Sequence, residues 1–425
     1  MMNRLLRLGV TVLLLSITMS IAAAQEAGWQ QAIRGTQSAS RAEAPAKKAA
    51  PAAAQGGNYV VLAWNDLGMH CISPRFAEMA ILPPYNNLMA VVIRRAGEEP
   101  NIISSGITLT YSLDNNTKVT GKTDFWQYAF PLFGKKLAPG IGLTGLGLSG
   151  SMTPSSGHFQ AVGIPALPFT DNLKWNPLQK ATIRVFDRNK KVIATASATV
   201  PVSDEMDCAK CHATGQAGAQ NISTPTVEGN ILTLHDRTQG TTLMKSRPVL
   251  CASCHSDNAL GTPGTPGVQS LSLAMHGKHA SVANPPACYD CHPGAKTQCV
   301  RSAIPAMGPD KGDPGCDRCH GNLAQVANSI VAGRRPWIDE PTCAQCHGKA
   351  YDTGKGVLYR NARGHGNVPC AACHNSPHAW YPSLKAQDNS QPLTLQGNSK
   401  AIGYKGCKIC HTDGRTGTMP PHGED

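Results

Sequence analysis

The word Cys-x-x-Cys-His occurs seven times between Cys208 and His411, and no other feature limits the possible folds so tightly. The copies are Cys208/Cys211/His212, Cys251/Cys254/His255, Cys288/Cys291/His292, Cys316/Cys319/His320, Cys343/Cys346/His347, Cys370/Cys373/His374 and Cys407/Cys410/His411. A chain of 425 residues with 16 Cys and 15 His would hold roughly 0.02 such words by chance. The spacing is that of c-type haem attachment. Two thiols reach the two vinyl groups of one porphyrin, and the adjoining imidazole falls beneath the iron as its proximal ligand. Zinc knuckles also use Cys-x-x-Cys pairs, but they do not need a His straight after every second Cys. Redox-active disulfides across two residues occur singly in a domain, and seven would serve no purpose. The words therefore predict seven covalent haems.

Seven His are spent as proximal ligands, which leaves His70, His158, His235, His276, His279, His365, His378 and His422. That is enough for a second imidazole on every iron. His235, His276, His279, His365 and His378 lie among the words and are the leading candidates for distal ligands, with His70 and His422 next and His158 last. His276 and His279 are three apart, so on a helix they could serve two neighbouring haems. Met275 and Met307 are alternative thioether ligands that would raise a haem's potential, although Met is more often packing. Cys71 and Cys299 fall outside the words. A disulfide, buried thiols or oxidised forms are all open to them.

Composition divides the chain. Residues 205–425 contain no Phe, and Leu, Ile and Val together number 28 of 221 residues, below the roughly 20% at which a sequence reads as disordered. Such a segment folds only if porphyrins supply its interior, with folding and cofactor attachment as one event. Its words begin at 208, 251, 288, 316, 343, 370 and 407, with near-even central intervals of 28, 27 and 27 residues, which suggests serial haem stacking without a repeated sequence unit. Short helices and loops wrapped around stacked haems are the expected form.

Residues 58–204 read differently. Val60–Trp64, Leu88–Ile93, Ile107–Leu113, Ala181–Phe186 and Val192–Val202 are strand-like, and Pro83-Pro84, Asp114-Asn115-Asn116 and Asp187-Arg188-Asn189 are turn signals. All seven Phe lie here. An antiparallel, immunoglobulin-like β-sandwich is expected, with 140–157 as a long exposed Gly/Ser loop. Residues 1–24 read as an export signal: Arg4 and Arg7, an apolar run from Leu8 to Ile21, then Ala22-Ala23-Ala24. Residues 25–57, rich in Ala, Gln, Ser and Pro, read as a flexible linker. The mature chain is then expected to be exported, periplasmic or at the cell surface, with no membrane span.

The formal charge of +12 falls to +10 without Arg4 and Arg7. Two propionates on each of seven haems would bring it to about −4 with ferrous iron and about +3 with ferric. The basic excess reads as a counterweight to propionates, and nucleic acid is not an expected partner.

The array resembles the multihaem c-type cytochromes of bacteria that respire metals or other external acceptors. Leu62-Ala-Trp-Asn-Asp-Leu-Gly-Met-His-Cys71, Ile81-Leu-Pro-Pro-Tyr-Asn-Asn87 and Arg335-Pro-Trp-Ile-Asp-Glu-Pro341 are similar to exported members with a β-rich front and a haem-rich rear. The resemblance implies electron transfer along a haem chain, with other redox proteins as partners. Two other functions compete. A multihaem reductase needs an open iron, often marked by Lys in place of the word His, and all seven words end in His. A filament subunit would receive a distal His, such as His70 or His422, from its neighbour.

Overall fold

The computed structural model describes residues 57–66, 71–292, 297, 299–302, 315–349, 352–354, 356–404 and 406–414, apart from the side chains of Glu205, Cys346 and His347. The expected signal, most of the linker, His70, Met307 and His422 lie outside these residues.

The front of the chain is β-rich. Twelve strands are described: β1 Tyr59–Trp64, β2 Cys71–Ile72, β3 Met79–Ala80, β4 Asn86–Arg94, β5 Asn101–Ile102, β6 Thr108–Leu113, β7 Ser149–Ser155, β8 His158–Ile164, β9 Leu178–Phe186, β10 Val192–Pro201, β11 Asp204–Glu205 and β12 Val249–Leu250. Seven of them hydrogen-bond in the order β1-β4-β8-β7-β6-β9-β10, with β5 added on β4. All these pairings are antiparallel. β7 turns the corner between two layers: Ser149–Met152 pair with β6, and Thr153–Ser155 pair with β8. β1 and β10, at the two ends of this path, pack beside each other, so the sheet is nearly closed. One strand, β7, thus carries both layers of a β-rich, nearly closed sheet.

The 140–157 stretch is not a loop throughout. Its second half is β7, and Leu143 and Leu148 are buried. Gly150 in β7 faces the Tyr111 ring, where an added Cβ would lie 3.5 Å from it. A helix that the sequence reading missed, α1 Phe125–Phe133, packs Phe125 edge-on against Phe76, with ring centres 5.1 Å apart.

β1 and most of β4 are buried on both faces, which explains their unbroken apolar sequences. Tyr59, Val61, Ala63, Leu88, Ala90 and Val92 face the inside of the sheet. Val60, Leu62, Trp64, Met89, Val91 and Ile93 face outward and are covered by Ala371, Ala372, Ile402 and Ile409 from the region of the last two words. The free edge of β1 is sealed by a side chain. Gln391 accepts from the Ala63 N–H at 2.9 Å and donates to its carbonyl at 3.2 Å, standing in for a neighbouring strand.

The rear of the chain is built of short helices and turns. These include α2 Ala209–His212, α3 Val227–Gln239, α4 Leu271–Ala280, α5 Asp317–His320, α6 Leu323–Val331, α7 Ala344–His347, α8 Cys370–His374 and α9 Ser390–Gln396. Among the described residues, none of the three apolar clusters lies wholly in this half. No described helix is long and apolar enough to cross a membrane.

Candidate metal centres

Each word closes into a single helical turn. The His N–H bonds back to the first Cys carbonyl at 2.8 Å in His212, 3.1 Å in His255, 2.8 Å in His292, 2.9 Å in His320 and 2.9 Å in His411. Residues i, i+3 and i+4 share one helical face, so the turn presents both sulfurs and the imidazole to the same side. The intervening residues are those that touch the β region. Ala252 packs with Phe76 and Phe125, and Ala371, Ala372 and Ile409 pack on the outer face of β1 and β4. Packing against the β region thus sets several of these positions.

Five imidazoles from words stand opposite five spare imidazoles. The ring centres are 6.4 Å apart for His212 and His279, 6.2 Å for His255 and His235, 5.8 Å for His292 and His276, 6.4 Å for His320 and His378, and 6.1 Å for His411 and His365. A metal–imidazole bond of about 2 Å plus the ring radius puts two trans rings about 6.4 Å apart, which is the separation seen here. Among the described residues, no group of three or more His, Cys, Asp or Glu converges as a small cation would require. A metal between two such rings must take its remaining donors from a group the chain does not supply. A porphyrin fits that demand, and each gap has the two cysteines of a word beside it.

Six of the ten rings are also in the right tautomer. A carbonyl oxygen only accepts, so a ring nitrogen beside one carries the proton and leaves Nε2 with a free lone pair. Nδ1 donates to the Gln269 carbonyl from His255 at 2.8 Å and to the Gly97 carbonyl from His411 at 2.8 Å. It also donates to the Ser272 carbonyl from His276 and to the Met275 carbonyl from His279, each at 2.7 Å. His212 Nδ1 meets Asn230 Oδ1 at 3.1 Å, and the orientation of that amide is fixed by its own donation to the Ala219 and Ile222 carbonyls. His235 Nδ1 meets Thr241 Oγ1 at 2.9 Å, whose hydroxyl proton goes to Asp236 at 2.6 Å. His292 differs, since its Nδ1 lies 3.5 Å from the Cys71 sulfur. Metal ligands of this kind are oriented and tuned by the acceptor on the other ring nitrogen.

Burial keeps these rings neutral. It pushes His292 and His378 down to about 4, and it lowers His212, His235, His276 and His320. Burial also pushes the thiols of Cys208, Cys251 and Cys373 up to about 12, and those of Cys291 and Cys410 up to about 11.

Cys211, Cys254 and Cys319, each the second cysteine of its word, are exposed, and Cys208, Cys251 and Cys316, the first cysteines of the same words, are half-buried.

Local structure explains the placement. α3 begins at Thr226, whose side chain accepts from the Gly229 N–H, and ends at Gly240 in the left-handed region. It carries both Asn230, behind His212, and His235, opposite His255. α4 begins at Ser270, which accepts from the Leu273 N–H. It sends His276 to His292 and His279 to His212, so one helix joins the first and third words. Lys210 and Asp290 form an ion pair between the same two words. His378 is held by the Arg301 and Ser302 N–H groups on its carbonyl, and Arg301 forms a buried ion pair with Asp388 at 2.8 Å. The seventh word is pinned to the β4 end, where Thr412 N–H donates to Ala96 O and Arg95 Nη2 donates to Lys408 O.

The other candidates are placed as follows. His374 is half-buried at the end of α8. His158 lies in β8 with its ring 6.3 Å from Trp64, and Arg363 Nη2 is 3.4 Å from its Nδ1. A guanidinium only donates, so the His158 proton sits on Nε2 and removes the lone pair a metal would need. Cys71 is buried and Cys299 half-buried. They are neighbours, for Cys299 adds to the upward push that burial gives Cys71. The oxygen acceptors behind the rings were invisible to sequence reasoning, because most are backbone carbonyls.

A family model described as cytochrome c554 and c-prime matches residues 326–375. That stretch holds the words Cys343–His347 and Cys370–His374, and the match supports a multihaem c-type cytochrome. A search of curated proteins found no match. Among solved structures, the crystal structure of MtrC from Shewanella baltica OS185 matches at 13% identity over 64% of this chain and 45% of that one, with a TM-score of 0.15. The chain thus spans under half of that structure, and a likeness so slight decides neither fold nor function.

Proposed function

We propose that the chain is an exported electron carrier with seven covalent c-type haems, handing electrons between periplasmic or cell-surface redox proteins. The observation that carries this reading is the set of five word–spare histidine pairs standing 5.8–6.4 Å apart. When bound, each haem supplies a one-electron ferric/ferrous couple.

The chain's own residues hold the paired rings on helices and turns, and Nδ1 contacts to oxygen leave six of them little freedom to reorient. Two rings at each of the five paired centres leave no position open there for a substrate, which favours a carrier over a reductase. α3 and α4 suggest the wiring: the second word neighbours the first through α3, and the first neighbours the third through α4. The spatial order therefore begins 2-1-3 instead of following the chain.

Low-temperature electron paramagnetic resonance on the full-length oxidised protein tests this reading. Only low-spin ferric signals are expected, from a monodisperse soluble species. A substantial high-spin signal would mean an open iron and a reductase. Filaments of uniform width in negative-stain microscopy would mean a polymeric conductor.

A further inference from the structure

We propose that Cys71 tunes the centre built on His276 and His292, holding its redox potential above what an oxygen acceptor would give. The proposal rests on the reading of these pairs as haem ligands and extends it to a residue outside every word.

Six of the paired rings place an oxygen on Nδ1, whereas His292 places a sulfur there, at 3.5 Å. A strong acceptor draws the Nδ1 proton away and gives the ring imidazolate character. The ring then donates more to the metal and favours its oxidised state. A neutral thiol sulfur is a weak acceptor, so His292 donates less and the reduced state gains. At the opposite extreme stands His235, whose Nδ1 meets Thr241 backed by the Asp236 carboxylate. The two extremes sit in neighbouring parts of the array, one on α3 and one against α4.

Cys71 is fixed for this contact. It opens β2, which pairs in parallel with β11, Cys71 opposite Asp204, where the chain leaves the β region for the first word. It is buried, and the Met206 N–H donates to the Ile72 carbonyl next to it. The contact therefore links the β region to the third word, 221 residues further along the chain.

Ring geometry lets the experiment identify the centre. His276 and His292 are nearly coplanar, at 15°, whereas His212/His279 and His235/His255 are close to perpendicular, at 82° and 88°. Parallel axial rings split the metal π orbitals and give a rhombic ferric signal, while perpendicular rings give a single broad feature at low field. The full-length, haem-loaded protein is titrated potentiometrically with the resonance spectrum as readout. Cys71→Ser, with a hydroxyl as the stronger acceptor, should lower the midpoint of a rhombic signal and leave the broad features unmoved. Cys71→Ala, with no acceptor, should leave that midpoint unchanged or higher. Asp236→Asn should raise the midpoint of a broad feature. Unchanged midpoints in Cys71→Ser, a fall in Cys71→Ala, or a shift of all centres together would overturn the proposal. Absence of low-spin signals from the unmodified protein would instead remove the haem reading beneath it.

Discussion

At the scale of the residue, the centres depend on which ring nitrogen carries the proton. Most paired histidines surrender Nδ1 to an oxygen, and the resulting free Nε2 is what makes a ring a ligand. His158 shows the converse, since one guanidinium on Nδ1 turns a well-buried imidazole into a structural group. A second buried titrating group, Asp66, lies just before the undescribed stretch 67–70. Burial raises its pKa to about 6, with Arg360 and Asn87 pulling the other way, and its Oδ1 is buried with no hydrogen-bond partner. The folded state therefore holds a proton that the unfolded state gives up between about pH 4 and 6, so stability falls as pH rises through that window. Asp66→Asn should stabilise the protein by about 1–3 kcal/mol at pH 7.5 and by little at pH 4. Paired denaturant titrations at the two pH values check it, and an equal effect at both would show that the charge is not the cause.

Helix α4 sets the local wiring at the scale of the element. Its His276 and His279 face two different words because three residues on a helix turn the direction by less than a full revolution. Inserting one alanine between Gly277 and Lys278 should rotate one ring off its partner and leave the other in place. The expected readout is a new high-spin signal from a single centre, with the remaining signals low-spin; loss of no signal, or of many, would show that α4 does not bridge two centres. The pairing of α4 was half legible in sequence, since His276-x-x-His279 suggested two haems but not that they belong to the first and third words. The five strands read from β-branched runs appear at nearly their expected bounds. β7 was missed because Ser, Gly, Thr and Pro carry no strand signal of their own and are held by β6 and β8. α1 was missed because its aromatic residues read equally well as strand, and its helical form comes from packing against Phe76. The curl of the sheet was illegible because it is decided by β7 pairing on both sides, a long-range matter.

At the scale of the whole molecule, the two halves lean on one another. The sheet has an ordinary apolar interior, but its outer face needs Ala371, Ala372, Ile402 and Ile409 to cover it. The rear half brings few apolar side chains and many paired imidazoles, and its interior is the space between those pairs. β2, β12 and the end of β4 each dock a different word, so the β region touches the first, second, third and last parts of the array instead of capping one end. Without attached haem the rear half should be cleaved readily by protease while the sheet survives longer.

All of this rests on porphyrin being bonded to the cysteines of the words. Intact-mass spectrometry of the mature protein, combined with a pyridine haemochrome count, measures that bond directly. The expected result is the peptide mass plus seven haems, borne on the fourteen word cysteines and not on Cys71 or Cys299. A bare peptide mass, with all sixteen thiols free to alkylation, would contradict it.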